Sequence, residues 1–336
     1  MKTVYDYLLL PVILCMFAGN TNTTADGDLS DEMKTYYSDY LIDMAEPELV
    51  HDQFGQKHPI PKNGGKTIEF RKYDPLPKAL DPLTEGVTPD GQKLKMGVIT
   101  ATVKQYGGFV ELSDILLLTA IDNNLVQATK LLGSQAGRTL DTITREVING
   151  GTNVQYAEGQ VESRGELAYT DENTNHNLTV NAIRMAVRFL KVMNAPRING
   201  YYAGIIHPDC SYDLMNDPKW VNVKSYSDPE GIYEGEIGRI EGVRFVETSE
   251  AKVFTGEGSG GRDVYSTLIV GDNAYGVTEI TGGGLQHIVK QLGSAGTADP
   301  LNQRATAGWK ATKVAERLVE PYMIRIETTS TFTSGE

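Results

Sequence analysis

The longest amphipathic stretch of the sequence, from Asp122 to Asn149, constrains the fold more than any other feature. Its apolar residues recur at spacings of three and four, the pattern of one helical stripe. They are Leu125, Ala128, Leu132, Ala136, Leu140, Ile143 and Val147. With the standard helical rise, the predicted helix is about 40 Å long. Gly150 and Gly151 follow the stripe and predict its end.

Two strand patterns on either side of a turn-rich stretch predict an extended hairpin between Ile60 and Leu112. In KTIEFRKYDPLP, Ile68 and Phe70 alternate with charged residues, and MGVITATVKQYGGFVEL provides the return strand. The tip, KALDPLTEGVTPDGQKL, is rich in glycine, proline and charge. A two-stranded ribbon alone is at best marginally stable in water. We therefore expect the hairpin to rest on another part of the chain or on another subunit.

The segment from Leu29 to Leu49 predicts a short amphipathic arm. Ser30 is a suitable helix cap, and Pro47 would end the helix. One helical face carries mainly tyrosine and other apolar residues, namely Tyr36, Tyr37, Tyr40, Leu41 and Met44. Such a face packs either on its own core or on a neighbouring subunit, and the sequence leaves both open.

The rest of the chain mixes helices and strands without a repeat. LTVNAIRMAVRFLKVMNAP predicts a second helix, YYAGIIHP a buried strand, and the residues around Asp209 the cap of a short helix ending at Met215. Alternating strands are predicted in EGVRFVETSEAKVF and DVYSTLIVGDNAYGV. Two closing strands, KATKVAERLV and YMIRIETTSTF, are expected to return toward the long helix. The predicted fold class is α+β.

Charge and cysteine content exclude several classes of protein. The formal net charge is -13, from 44 acidic and 31 basic residues among 336, so the whole molecule repels nucleic acid. A sequence-reading DNA-binding protein is therefore disfavoured. Cys15 and Cys210 are the only cysteines, which excludes a disulfide framework.

The first 28 residues leave two interpretations open. MKTVYDYLLLPVILCMFAGN has the charge, apolar run and polar exit of a signal peptide, but Met16 occupies a position that needs a small residue for cleavage at Ala18. The apolar run from Leu8 to Ala18 is too short for a spanning helix, which needs roughly 20 residues. The alternative hypothesis is that residues before Met16 are an overextended gene start or an appendage.

Motifs that suggest chemistry are incomplete. NGGKT, at 63–67, lacks the first glycine of a phosphate-binding loop and precedes a strand, and GEGSGG, at 256–261, lies between strands instead of before a helix. The five histidines have no zinc-ligand spacing. Cys210 follows His207 and Asp209 and could act as a nucleophile, but packing is the favoured interpretation. The sequence thus predicts no catalytic, cofactor or metal site, and favours contact with other chains.

Three long strings resemble the major capsid proteins of tailed bacteriophages, in the branch typified by N-four-like podophages. They are ELVHDQFGQKHPIPKNGGKTIEFRKYDPLPKALDPLTEGVTPDG, HPDCSYDLMNDPKWV and YEGEIGRIEGVRFVETSEA, within a resemblance from about Leu29 to Phe332. The resemblance implies the fold shared by tailed-phage and herpesvirus capsid proteins. Its parts would be 1–28 (leader or disordered tail), 29–58 (N-terminal arm), 59–112 (extended hairpin loop), 113–177 (peripheral domain with a spine helix), 178–298 (axial domain) and 299–336 (return strands of the peripheral domain).

The same resemblance implies a structural function without enzymatic activity. Subunits would form the hexamers and pentamers of an icosahedral head around double-stranded DNA, each hairpin lying over its neighbour. Charged residues of the hairpin and the tyrosines of the arm are the candidate inter-subunit contacts, although a solvated surface explains each charge equally well. They are Tyr36, Tyr37, Tyr40, Arg71, Lys72, Glu85, Asp90, Lys93 and Lys95.

Partners and location follow from the resemblance as expectations. Copies of the chain are the main partner, with the portal and a scaffold or decoration protein as further ones. The packaged DNA would be confined without sequence-specific binding, no membrane is involved, and the shell would assemble in the host cytoplasm and reside in the virion. Two alternatives stay open: an encapsulin-type shell around protein cargo, and a secreted β-rich binding protein, which the leader alone supports.

Overall fold

The structure is a computed structural model, and it describes most of the chain from Val50 onward. The described residues are 50–59, 66–73, 76–80, 82, 85–86, 88, 90–119, 124–168, 175–220, 238–278, 285–294 and 299–332. The predicted leader and arm therefore lie outside the described residues, as do most of NGGKT and the start of the predicted long helix at Asp122.

Helices and strands alternate along the described chain, in agreement with the predicted α+β class. The helices are α1 (Asp114–Thr119), α2 (Asn124–Asn149), α3 (Val180–Val192) and α4 (Pro208–Met215). The strands are β1 (Gln56–His58), β2 (Thr67–Tyr73), β3 (Met96–Thr102), β4 (Lys104–Ser113), β5 (Val154–Tyr156), β6 (Tyr202–Ile206), β7 (Arg239–Ile240), β8 (Val243–Glu247), β9 (Val253–Phe254), β10 (Val264–Val270), β11 (Tyr275–Thr278), β12 (Leu285–Lys290), β13 (Arg304–Lys313), β14 (Ala315–Arg317) and β15 (Met323–Thr328).

The largest sheet has seven strands and is covered on both faces. Its order is β5-β15-β10-β6-β8-β7, with β9 also paired to β10. Alternate residues of β6 enter opposite cores: Tyr202 and Ile206 join the core beneath α3 and α4, whereas Ala203 and Ile205 face the end of α2. The β10 strand is buried at every position, which its apolar run VYSTLIV permits.

The predicted long helix is confirmed as α2, which begins at Asn124 among the described residues. Its buried stripe packs on the three-stranded sheet β12-β13-β4. Leu132, Ala136 and Leu140 of the helix meet apolar side chains of that sheet, namely Leu285, Ala307, Trp309 and Ala311. Small alanines on both sides let the helix lie close to the strands, as the interdigitation of well-packed cores requires.

The predicted hairpin is confirmed only in its outer half. β2 and β3 pair antiparallel from Thr67 opposite Thr102 to Tyr73 opposite Met96. The return strand, predicted as one element, breaks at Val103, whose N–H donates to the Lys66 carbonyl at 2.8 Å. Beyond this point β4 pairs along its whole length with β13 instead. The alternation of residues continues through the break, because β3 and β4 each turn one face toward the protein interior. The sequence pattern therefore could not show that the strand partner changes from β2 to β13.

The two closing strands join different sheets. The first, β13, packs on α2. The second, β15, pairs with β10 and β5 in the seven-stranded sheet, and its Met323 shares a buried cluster with Ile148 at the end of α2. The short helix α4 is capped by His207, whose ring accepts from the Asp209 N–H, and not by Asp209 itself.

Candidate inter-subunit surfaces

The β2–β3 hairpin is fixed at its base by contacts with its own chain. Ile68, Phe70 and Ala101 form a buried cluster with Leu318 and Val319. The base of the hairpin therefore rests on its own chain. This was one of the two expectations from the sequence, the other being contact with another subunit. The anchoring sets the direction in which the hairpin leaves the molecule.

One aromatic ring places the hairpin base against the neighbouring sheet. The Phe70 ring lies over Gly276 of β11, where an added Cβ would come within 2.4 Å of a ring carbon. The His58 ring of β1 meets Phe70 edge to face, with 4.8 Å between the ring centroids. Glycine at position 276 is therefore required by this close approach and not by its backbone angles.

The outer part of the hairpin exposes apolar side chains. Leu76, Leu80 and Leu94 are 50%, 81% and 72% exposed. Lys72, a predicted contact residue, lies in β2. The other charged residues predicted as contacts are exposed on the same hairpin, namely Arg71, Glu85, Asp90, Lys93 and Lys95. Tyr36, Tyr37 and Tyr40 lie outside the described residues. The hairpin thus presents leucines and charges of both signs away from its own core, a composition suited to a protein interface.

A second exposed apolar surface lies on the outer face of the three-stranded sheet. Phe109, Gly308 and Ile288 are directly opposite one another across β4, β13 and β12. Phe109 is 71% exposed and Ile288 42%. A groove of about 410 Å³ lies on this face, and Lys310 joins the three residues in its lining. The sequence analysis missed it, because β12 was not predicted and no pattern pairs Phe109 with Ile288.

The place where the predicted arm joins the fold is held by a buried histidine–carboxylate contact and a buried ion pair. The His51 ring nitrogen Nδ1 lies 2.6 Å from an Asp141 carboxylate oxygen on α2, and the His51 backbone N–H donates to the other at 2.7 Å. Asp52 pairs with Lys313 of β13 and accepts from the Thr144 hydroxyl at 2.6 Å.

This cluster fixes the segment after the arm to both the long helix and the sheet. His51, Asp141 and Thr144 have no exposed surface, and Lys313 is 1% exposed. The Tyr275 hydroxyl closes the cluster by donating to the His51 carbonyl, and burial raises the pKa of this tyrosine well above its usual value. Sequence reasoning missed the cluster. The only available signal was the run of three polar residues, HDQ, between Val50 and Phe54.

Comparison with known proteins identifies the family. The model of the phage capsid protein family matches residues 113–294, more than half of the chain. The chain belongs to the phage capsid protein family. No curated protein matches it in sequence.

Solved phage capsids share the fold of this capsid protein. The capsid of Ralstonia phage GP4 superposes with a TM-score of 0.62 at 16% identity, covering 80% of this chain and 84% of that one. The capsid of the cyanophage P-SCSP1u gives 0.63 at 13% identity, covering 84% and 89%. The capsid of the cyanophage Pam1 gives 0.61 at 14% identity, covering 80% and 86%. These superpositions confirm the predicted tailed-phage capsid fold. The N-four-like branch stays a prediction.

The motifs set aside in the sequence have structural roles in this capsid protein. GEGSGG lies in the loop between the paired strands β9 and β10, and its Ser259 N–H donates to the Leu167 carbonyl at 2.9 Å. Cys210 is fully buried, and this burial raises the pKa of its thiol, opposite to what a nucleophile needs. Among the described residues, no group of three or more histidine, cysteine or acidic side chains could hold a metal ion. No helix in the described part of the chain is both long and apolar enough to cross a membrane.

Proposed function

We propose that this phage capsid protein is the subunit of an icosahedral head, assembled from hexamers and pentamers around double-stranded DNA. The observation that carries this proposal is the hairpin, whose base is buried in its own fold while Leu76, Leu80 and Leu94 at its outer part are exposed. An exposed set of leucines on a fixed projection is costly in water and suits burial on another subunit. Rings of identical subunits need such a heterologous contact.

In this proposal, each hairpin lies over the adjacent subunit of the same capsomer. The leucines supply the buried area, and the exposed charges Arg71, Glu85, Asp90, Lys93 and Lys95, together with Lys72, set the register. A single exposed ion pair contributes about 0–1 kcal/mol, so the apolar contacts carry most of the stability. The outer groove around Phe109 and Ile288 offers an apolar surface on the same subunit.

The buried contacts of His51 and Asp52 support a role for the arm in assembly. They attach residues 51 and 52 to α2 and β13, so the arm is joined to the fold at a fixed point. Tyr36, Tyr37 and Tyr40 would then contact a neighbouring subunit at a defined position. Because one end of the arm is already held in place, the arm loses less conformational entropy when it binds a neighbouring subunit.

The remaining functions in the proposal are mechanical. The chain acts without catalysis or a cofactor, and the acidic net charge of -13 suits a shell that confines DNA without sequence-specific binding. Assembly takes place in the host cytoplasm, and the virion also contains a portal and a scaffold or decoration protein that contact the shell. The division into an arm, a hairpin loop (59–112), a peripheral domain (113–177 and 299–336) and an axial domain (178–298) is part of this proposal.

Electron microscopy of the purified full chain tests the proposed function. We expect shells or capsomer rings for the natural sequence, and persistent monomers at high concentration would contradict the proposal. The variant Leu80→Ser/Leu94→Ser should fold normally by circular dichroism but assemble only at about tenfold higher concentration or more, because two apolar contacts are lost. The matched control is Leu131→Ser, at a leucine that is 71% exposed on α2, outside the hairpin. Equal assembly of the hairpin variant and the control would exclude the hairpin as the contact.

A further inference from the structure

One edge of the seven-stranded sheet carries Arg239 and Arg244, and Arg197 lies in the loop before β6; the three arginines are called here the basic edge. Arg239 of β7 stands directly opposite Arg244 of β8. Both guanidinium groups lie over the Tyr201 ring, at 5.0 and 5.8 Å from its centroid, and Arg244 donates to the Tyr201 hydroxyl at 3.1 Å. Arg197 lies over the adjacent Tyr202 ring at 5.5 Å.

The basic edge is unfavourable for an isolated subunit. Like charges directly opposite each other across two strands destabilise a sheet. Among the described residues, no carboxylate lies within ion-pair distance of these three arginines. The nearby Glu241 in the β7–β8 turn is paired with Arg184 of α3 at 2.6 Å. Stacking on tyrosine holds the arginines in place and leaves them able to bind an external carboxylate.

The loop that follows β5, the last strand on the other side of the sheet, carries the complementary charge. Its three glutamates, called here the acidic edge, are Glu158, Glu162 and Glu166. Glu158 already accepts from the Thr179 hydroxyl at 2.6 Å and the Asn181 amide at 3.0 Å, so Glu162 and Glu166 are the two left for an external partner. Glu162 and Glu166 are exposed, and the described residues offer them no cation. Hydrogen bonds from the Glu162 N–H and the Ser163 hydroxyl lower the pKa of Glu166, which keeps it charged. Arg164 in this loop is already engaged by Glu327 and Glu257.

We propose that the basic edge of one subunit binds the acidic edge of the next copy, head to tail around the capsomer. This inference rests on the proposed assembly into capsomers. The sheet path from β5 to β7 has six strands, which at the usual spacing places these two strands about 24 Å apart. A contact between different surfaces of identical subunits is heterologous, the kind of contact that forms a ring when the rotation between neighbours closes. It also explains how copies with a charge of -13 each can associate.

Charge reversal of each edge tests the proposal. In the basic-edge variant, Arg239→Glu/Arg244→Glu, both edges are acidic, and in the acidic-edge variant, Glu162→Arg/Glu166→Arg, both are basic. We expect each variant alone to need at least about tenfold higher concentration to form capsomers, the effect of like charges facing each other. The control Arg188→Glu/Lys191→Glu makes the same change in net charge on the exposed face of α3.

Combining the reversals gives a result that only this contact predicts. The four-substitution chain restores opposite charges on the two edges and should form hexamers and pentamers again. A mixture of the two variants should form only alternating rings, which close with six subunits but not with five. Mass photometry of the mixture should therefore show hexamers without pentamers.

The outcomes separate this inference from the proposed function. Natural-sequence subunits that never assemble would contradict both. Normal assembly of both edge variants, or no recovery in the four-substitution chain when circular dichroism shows it folded, would overturn the edge contact and leave the capsid function standing. Loss of assembly in the Arg188→Glu/Lys191→Glu control to the same extent would assign the effect to net charge and also overturn the edge contact.

Discussion

At the scale of single residues, the ion pair of Asp52 with Lys313 and the contact of His51 with Asp141 are the most sensitive to change. Their four side chains lie almost completely away from water. Burial of a charge is costly unless a partner and hydrogen bonds replace the lost water, and here each carboxylate has both. Removal of Lys313 leaves the Asp52 charge buried alone.

Lys313→Met should lower the free energy of unfolding by about 3–5 kcal/mol, because the Asp52 carboxylate then stays buried without its cation. Urea unfolding of unassembled subunits measures this loss. Adding Asp52→Leu to Lys313→Met should recover part of the stability, since no charge is then left unpaired. Lys310→Met is the matched control on the exposed side of the same strand, with an expected change within about 0.5 kcal/mol. Equal losses for the two lysines would refute the assignment.

His287 gives this protein a dependence of stability on pH. Burial lowers its pKa in the folded state, whereas in the unfolded chain the pKa is about 6.5. The unfolded state therefore takes up the proton first as the pH falls, and the contribution of His287 to stability is present above pH 6.5 and lost below it. The difference in unfolding free energy between the natural protein and His287→Gln should shrink from pH 7.5 to pH 5. A difference that stays constant across this range would contradict the prediction.

At the scale of elements, the hairpin base is the point where the β2–β3 hairpin meets the sheet β1-β11-β14. Phe70 of β2 reaches β11 at Gly276 and β1 at His58, and its cluster includes Leu318 and Val319 beyond β14. The base of the hairpin is thereby stabilised by its own fold, although a two-stranded ribbon alone is marginal. Only the outer part is left for a neighbour.

Gly276→Ala should destabilise the subunit by about 1–3 kcal/mol, because its Cβ would overlap the Phe70 ring and displace the hairpin base. Thermal unfolding of unassembled subunits measures the effect. The double variant Gly276→Ala/Phe70→Leu should lose less than the sum of the two single changes, since the smaller side chain leaves room for the methyl group. Strict additivity would show that the ring and position 276 do not contact each other.

Periodic patterns predicted α2, α3, α4 and most strands correctly, missed the short helix α1, and failed where pairing depends on distant residues. The apolar stripes of α2 and α3 could be predicted from the sequence, because the spacing of three and four residues is a local property of the chain. The break at Val103 was missed, because β3 and β4 share one alternating pattern but pair with β2 and β13. β12 and β5 were also missed.

At the scale of the whole molecule, the subunit combines a rigid body with a projecting tip. The seven-stranded sheet and the layer of α2 on β12, β13 and β4 supply the buried cores. The tip contributes exposed leucines and lysines. Such a body can repeat around a ring while the tip reaches the adjacent copy.

Limited trypsin digestion should distinguish free from assembled subunits. Lys78, Lys93 and Lys95 are exposed in the hairpin tip, outside any strand, and should be cleaved first in unassembled chains. In assembled shells these sites should be protected at least about tenfold, because the neighbouring subunit covers them. Mass spectrometry of the early peptides gives the cleavage rates. Equal cleavage rates before and after assembly would contradict the overlap of hairpins.

The sequence by itself determined the α+β class, the long helix, the outer hairpin and, through three strings, the resemblance to phage capsid proteins. These depend on neighbouring residues, whose spacing follows the helical and strand repeats. Tertiary structure alone decided the pairing of β15 with β10, the ion pair of Asp52 with Lys313, and the placement of Arg239 opposite Arg244. Each of these joins residues far apart in sequence, and no local periodicity records which distant strand or charge will face another.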